Sequence, residues 1–321
     1  MKKKIAIIGA GVSGAFFSYL LNQQEDLEVD LFDKSRGSGG RCAVKRYNED
    51  DFINMGAQFL TNKRKDLSFY FKEIKDNSLL DFFPDSIAYF KKGVWMKAND
   101  TVRYVGRPHM NSFIKHWIKG INFNTRCKVV KIIQNEKKWS LYTESGEKYD
   151  NYDFCVFSLP LTQGKVIWFQ NSKVQLPEVV MNPSWALLLK SEKVDLKWRA
   201  AFIHDNKLSW FHTRESKDSN MLWVIHTSPS WTKELIDLSK EDVDKLITNE
   251  VEKLLKIKIK KIFSETHLWR FASSGENMSR QKFALDENKN LAYIGDWFCG
   301  GRCEGAMESA LECFQEVKKL F

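Results

Sequence analysis

The 321-residue sequence has no run of about 18 consecutive apolar residues, which excludes a transmembrane helix. Its cysteines number six, Cys42, Cys127, Cys155, Cys299, Cys303 and Cys313, and none stands in a Cys-x-x-Cys pair. Cys299 and Cys303 are four apart, but no His/Cys partner pair follows, so a zinc site is excluded and no metal is expected. Most of the thiols are expected to be buried in a reducing cytosol. Internal repeats and low-complexity segments are absent, and so are RNA- and DNA-binding motifs. The net charge of +9 is therefore not read as a nucleic-acid signature, since the lysines are scattered. An anionic cofactor and an anionic small substrate account for that charge, as does a basic proteome.

What is present is ordinary in bulk: 43% hydrophobic and 28% charged residues, enough chain for one large domain or two interleaved ones. The 11 tryptophans and 23 phenylalanines either fill a core or wall a pocket for a flat ring system. Lys2-Lys3-Lys4 before an apolar run imitates a secretory signal, but the glycine spacing inside the run is foreign to one. The cytoplasm is the expected compartment, with no membrane partner.

Residues 4–8 read as a buried strand, 12–23 as a helix and 27–32 as a second strand ending at Asp33. This β-α-β unit opens a doubly wound sheet. Helices are expected at 66–75, 110–119, 240–255 and 305–320. A β-meander is expected over 125–149, and strands at 152–158, 185–190, 200–204, 221–227 and 291–295.

Gly9-Ala10-Gly11-Val12-Ser13-Gly14 lies between that strand and helix. Backbone N–H groups and the helix dipole there suit a pyrophosphate. Asp33, 19 residues after Gly14, suits a ribose diol. Lys34 follows it, and then a second glycine turn, Gly39-Gly40-Arg41, in which Arg41 can reach a phosphate. Met55-Gly56-Ala57-Gln58 is a further local motif. Near the end, Gly295-Asp296-Trp297 closes a strand and Glu304-Gly305-Ala306 enters a helix whose N-terminus would favour negative charge.

A glycine pair and an arginine just past the acid resemble the amine-oxidase-like FAD proteins. The segments 33–41, 55–58, 102–106, 182–186, 295–297 and 304–306 resemble the bacterial renalases more narrowly, and the likeness runs from residue 4 to about 315. The resemblance implies an α/β fold: a Rossmann-like FAD-binding domain of the two-domain, p-hydroxybenzoate-hydroxylase-like kind, with a mixed α+β substrate domain. The expected FAD-binding domain is 1–83, 106–165 and 285–321, and the substrate domain is 84–105 and 166–284. FAD is implied as a non-covalent cofactor, so no thioether is expected at Cys299 or Cys303. Its ligands would be Gly9, Gly11, Val12, Ser13, Gly14, Asp33, Lys34, Gly39, Gly40, Arg41, Met55, Gly56, Ala57, Gln58, Val129, Gly295, Asp296, Glu304, Gly305 and Ala306.

The implied reaction is oxidation of NAD(P)H isomers carrying the hydride at ring position 2 or 6, with O2 as the final acceptor and NAD(P)+ and hydrogen peroxide as products. Such dihydropyridines are strong hydride donors, so no catalytic acid or base is named. The expected substrate contacts are Gln58 and Asn62 as polar guides, Trp95, Trp185 and Trp297 as walls, and Arg103 and Arg270 as phosphate partners. A tryptophan is more often a core residue, and an arginine more often a solvated or ion-paired surface group. His109, His204, His212 and His226 read as structural. Two rival readings share the flavin motifs: a generic FAD-dependent amine oxidase, and a flavin-binding regulatory protein without turnover.

Overall fold

The structure, a computed structural model, describes residues 2–48, 50–205, 207–275 and 279–321. The opening strand, Lys3–Ile8, buries Ile5, Ala6, Ile7 and Ile8 on both of its faces. A strand buried on both sides belongs at the centre of a covered parallel sheet. It lies there, between Leu27–Phe32 and Phe154–Phe157, in a six-stranded sheet. The order across the sheet is Ala284–Asp286, Leu291–Tyr293, Phe154–Phe157, Lys3–Ile8, Leu27–Phe32, Asn122–Asn124. All pairings are parallel except the one between Ala284–Asp286 and Leu291–Tyr293.

The two-residue period of the strand sorts its side chains. Ile5 and Ile7 join a core with Phe16 and Phe17 of the first helix, Val12–Asn22, and Met307 and Ala310 of the last α-helix, Cys303–Val317. Ala6 and Ile8 join a second core under the three-stranded meander of Val129–Asn135, Lys138–Thr143 and Lys148–Tyr152. The layers are thus helices, sheet and meander.

A seven-stranded sheet is ordered Lys261–Ser273, Asn182–Ser191, Met221–Thr227, Leu208–Glu215, Ala200–His204, Ile87–Lys91, Val94–Lys97. One face packs on Trp231 and Leu235 and on Val243, Ile247 and Val251 of the amphipathic helix Lys240–Leu255. The inner face presents Ala186 and Leu188 to Ile53, Met55 and Tyr47 of the first sheet's loops. This helix has the expected bounds. The last α-helix begins at Cys303, two residues before the expectation, because Arg302 and not the later glycine is its N-cap. The 13-residue strand Lys261–Ser273, the longest of the chain's strands among the described residues, was not expected.

Candidate active site

The first strand is flanked by the strand that follows it in sequence and by Phe154–Phe157, so the crevice beyond its carboxyl end is a topological switch point. The glycine turn 9–14 lies there. A Cβ on Gly9 would sit 2.3 Å from the Ser158 carbonyl oxygen, and one on Gly14 would sit 1.9 Å from the Gly9 oxygen. Those two glycines let the helix press onto the strand. A Cβ on Gly11 would meet nothing within 4 Å, so Gly11 faces open space. The helix beginning at Val12 has no side-chain cap and no acidic residue in its first turn, leaving its N–H groups for a ligand anion.

The second glycine turn is stitched over the first, with the Gly39 N–H donating to the Ala10 carbonyl at 2.8 Å. Gly40 lies close enough that a Cβ would stand 3.2 Å from the Gly11 Cα. Asp33 takes N–H groups from Ala10 (2.8 Å) and Ser35 (2.7 Å), which fixes its carboxylate at the mouth of the turn. Lys34 beside it is exposed. Ser13 is engaged with Ser158, hydroxyl to hydroxyl at 2.8 Å. Val129 opens the meander and is buried in the core that holds Ile8 and Phe32.

The chain's other end closes the cradle. Arg41 forms a two-pronged ion pair with the buried Asp296, and also donates to the Ala272 carbonyl. Asp296 raises the guanidinium's pKa, though burial works against it. The Gly295 N–H donates to Ser309 Oγ on the last α-helix at 3.0 Å. A Cβ on Gly305 would lie 2.4 Å from the Cys299 oxygen, so this helix packs tightly on the turn before it, with Ala306 buried. Buried Glu304 accepts from Thr61 Oγ1 and from the N–H groups of Lys63 and Arg64. It thereby pins loop 61–64 beside the helix entry. Asn62 lies in that loop with a buried, unpartnered Oδ1. Ser274 Oγ, against Gly301, and Asn111 Oδ1, on the residue facing Gly39, are likewise buried without a protein partner. Open space at Gly11, an uncapped helix and three orphaned oxygens, one beside Gly39 and two near the start of the last α-helix, fit a large polar cofactor.

Met55-Gly56-Ala57-Gln58 links this cradle to the inner face of the seven-stranded sheet. The Ala57 N–H donates to the Arg41 carbonyl, and a Cβ on Gly56 would lie 2.2 Å from that same oxygen. The Met55 carbonyl accepts from Trp269 Nε1 at 3.3 Å and from His226 Nε2 at 2.9 Å. Gln58 Nε2 donates to the Asn54 and Gly56 carbonyls, which leaves its Oε1 to accept from His212 Nδ1 at 3.3 Å. The other ring nitrogen of His212 faces Asp85 at 3.1 Å.

The expected aromatic walls are placed otherwise. Trp185 and Trp95 belong to the helix-covered core of the seven-stranded sheet, away from the cradle. Trp297 is fully buried, donates to the Leu159 carbonyl and packs on Tyr293 and Phe298. The inner face instead carries Trp269, His267, His226, Trp210 and His212, none of which the sequence reading named as a wall. The register of the sheet assigns Trp269 to this face, since it pairs with Ser184, two residues from the inward Ala186. Arg103 stacks over Phe59 and Phe202 and donates to the Thr101 carbonyl, on the inner side. Arg270 is exposed, next to Trp269 on the long strand.

The family model for flavin containing amine oxidoreductases matches residues 110–317, and the model for an NAD(P)-binding Rossmann-like domain matches residues 7–74. Renalase of Mus musculus is 22% identical over 344 aligned residues, spanning 98% of this chain and 99% of that protein. Two solved structures share the whole fold at 9% identity, each covering 99% of both chains. One is a protein of Exiguobacterium sp. 255-15 carrying the name protoporphyrinogen oxidase, with a TM-score of 0.78. The other is cyclohexylamine oxidase from Brevibacterium oxydans IH-35A, with a TM-score of 0.70.

Proposed function

The chain belongs to the flavin containing amine oxidoreductase family, and from that premise we propose that it is an oxidase of 2- and 6-dihydro-NAD(P) with non-covalent FAD. The observation that carries this reading is the likeness to a renalase along 98% of the chain, joined to the renalase-like motifs that line the cradle. When bound, the flavin supplies the hydride acceptor and afterwards passes the electrons to O2, giving hydrogen peroxide.

The chain's own residues bind and orient. The N–H groups at the start of the first helix would hold the pyrophosphate, and Asp33, already fixed by two N–H groups, would accept from the ribose. Asp296 and Arg41 would stand beside the ribityl chain, and the last α-helix would aim its positive end at the ring carbonyl. Gln58, held rigid by three contacts, and Asn62, with its orphaned oxygen, would meet the carboxamide side of the substrate. Trp269 and Trp210 take the role of walls, with Arg103 and Arg270 as phosphate partners. The proposed domain division is that of the sequence reading, and the inner face of the seven-stranded sheet would form the roof. No residue would need to move a proton in the hydride step; the task of the chain would be to hold donor and acceptor rings face to face.

The test is anaerobic mixing with 6-dihydro-NAD, ordinary NADH and benzylamine while the flavin absorbance is followed. Rapid bleaching is expected with the first, slow bleaching with the second and none with the third. Moving the hydride to ring position 4 displaces the donor carbon by about 1 Å or more, a misplacement that costs on the order of a hundredfold. Fastest reduction by benzylamine would replace this reading with an amine oxidase. No reduction by any of the three would favour a non-catalytic flavin protein.

A further inference from the structure

The tetrapeptide Gly-Gly-Arg-Cys occurs twice, at residues 39–42 and 300–303. In both copies the two glycines hold positive φ, at 128° and 50° in the first and 82° and 77° in the second. Each copy is therefore a sharp turn that ends in a cysteine. The flavin motif accounts for the first glycine pair, but nothing in the proposed oxidation uses either sulfur.

The fold brings these two cysteines together. Although 261 residues separate them, their sulfur atoms lie 3.7 Å apart. Cys42 is buried, next in sequence to the Arg41 that pairs with Asp296, and Cys303 is half-buried at the first turn of the last α-helix. The surroundings make them unequal. A hydrogen bond from Cys42 lowers the pKa of Cys303, and the Arg41 guanidinium adds to this against the penalty of burial. The same contact, with burial, raises Cys42. Such a pair resembles an attacking thiolate with a resolving thiol beside it.

We propose that Cys42 and Cys303 are a peroxide-oxidisable dithiol that closes into a disulfide across the cofactor cradle. The Cys303 thiolate attacks one oxygen of hydrogen peroxide, the O–O bond breaks, and hydroxide leaves; Cys303 becomes a sulfenic acid. The sulfur of Cys42 then attacks the Cys303 sulfur. The S–S bond forms, the S–O bond breaks, and the Cys42 proton leaves with the hydroxyl as water. The hydroxide of the first step takes up the proton that Cys303 had lost. In sum, two thiols and one peroxide give one disulfide and two waters. The dithiol rests on the geometry of the two turns; only peroxide as a product of the protein's own turnover rests on the oxidase reading. The bond would join the second glycine turn to the last α-helix, two parts of the cradle 261 residues apart in sequence.

The experiment is a titration of the purified full-length flavoprotein with added hydrogen peroxide, followed by denaturation and thiol counting. Two of the six thiols should be lost. Non-reducing tryptic digestion should yield residues 42–45 joined to a peptide beginning at Cys303. That second peptide also contains Cys313, so the crosslink should persist in Cys313→Ala. In Cys42→Ser the crosslink should vanish and dimedone should label Cys303 instead. An unchanged count of six, a crosslink between other cysteines, or a crosslink that survives Cys303→Ser would overturn the proposal. Because peroxide is added, the result does not depend on turnover. Disulfide formation without flavin reduction by any dihydronicotinamide would refute only the oxidase reading. Peroxide-generating turnover with all six thiols intact would refute only the dithiol.

Discussion

Gly11 and Gly14 are three residues apart in one turn, yet they answer to different constraints. Gly11 has room for a methyl group and an ordinary φ of −77°, whereas Gly14 has none because the Gly9 carbonyl is in the way. Gly11→Ala is expected to leave the melting temperature of the flavin-free protein unchanged while weakening flavin affinity at least roughly tenfold, about 1.4 kcal/mol. Gly14→Ala should instead destabilise the flavin-free protein by about 1–3 kcal/mol, the usual range for overpacking. Calorimetry of the apoproteins and flavin titration separate the two; equal melting losses would mean that Gly11 does not face the cradle. These glycines and Asp33 were legible in the sequence because close backbone approach and a strand-end carboxylate restrict the residue type. The tryptophans were not. Trp185, Leu187 and Leu189 are buried on one face of their strand and Ala186 and Leu188 on the other, so no polar alternation marked which face the cradle would meet.

Among the elements, the long strand Lys261–Ser273 was hidden for a related reason. Its inward side chains are Phe263, Glu265, His267 and Trp269, a mixture that gives no clean period of two. The helix Lys240–Leu255 was readable to the residue because Ser239 caps it and its apolar face is regular. The inner face also predicts a pH response. His226, His267 and, nearby, His109 are held below the ordinary histidine value, each chiefly by burial. In the unfolded chain these groups take up protons as the pH falls through about 6.5. In the folded chain they resist until lower pH. The unfolded state then binds more protons, so stability should fall as the pH drops below about 7, toward the folded-state values. The Met55 carbonyl can only accept, so His226 keeps its proton on Nε2. In His226→Gln the slope of unfolding free energy against pH should be shallower by up to about one proton. Urea denaturation between about pH 5.5 and 7.5 measures it, and an unaltered slope would remove His226 from the account.

At the scale of the whole molecule, the doubly wound sheet was readable from its opening β-α-β unit, and the strand expected at 152–158 returns beside the first strand as Phe154–Phe157. The facing of the two sheets was not readable, because contacts such as Trp269 with Met55 join residues 214 positions apart. The same interleaving predicts the effect of truncation. A chain ending at residue 283 would lack Leu291–Tyr293, leaving an open edge on Phe154–Phe157, and would lack the last α-helix against the first. Although both N-terminal glycine turns remain, it should retain no flavin and give a weak near-ultraviolet dichroism spectrum; a yellow, native-like fragment would contradict this. The feature has a counterpart in time. At about 5–20 residues per second, roughly 15–60 s separate synthesis of the first glycine turn from that of the last α-helix. During that interval the nascent chain carries half a cradle and an unpaired parallel edge, a state suited to chaperone capture and unable to hold its cofactor. Flavin uptake must follow synthesis of the final helix, so flavin scarcity would act on finished, empty chains and not on those still being made.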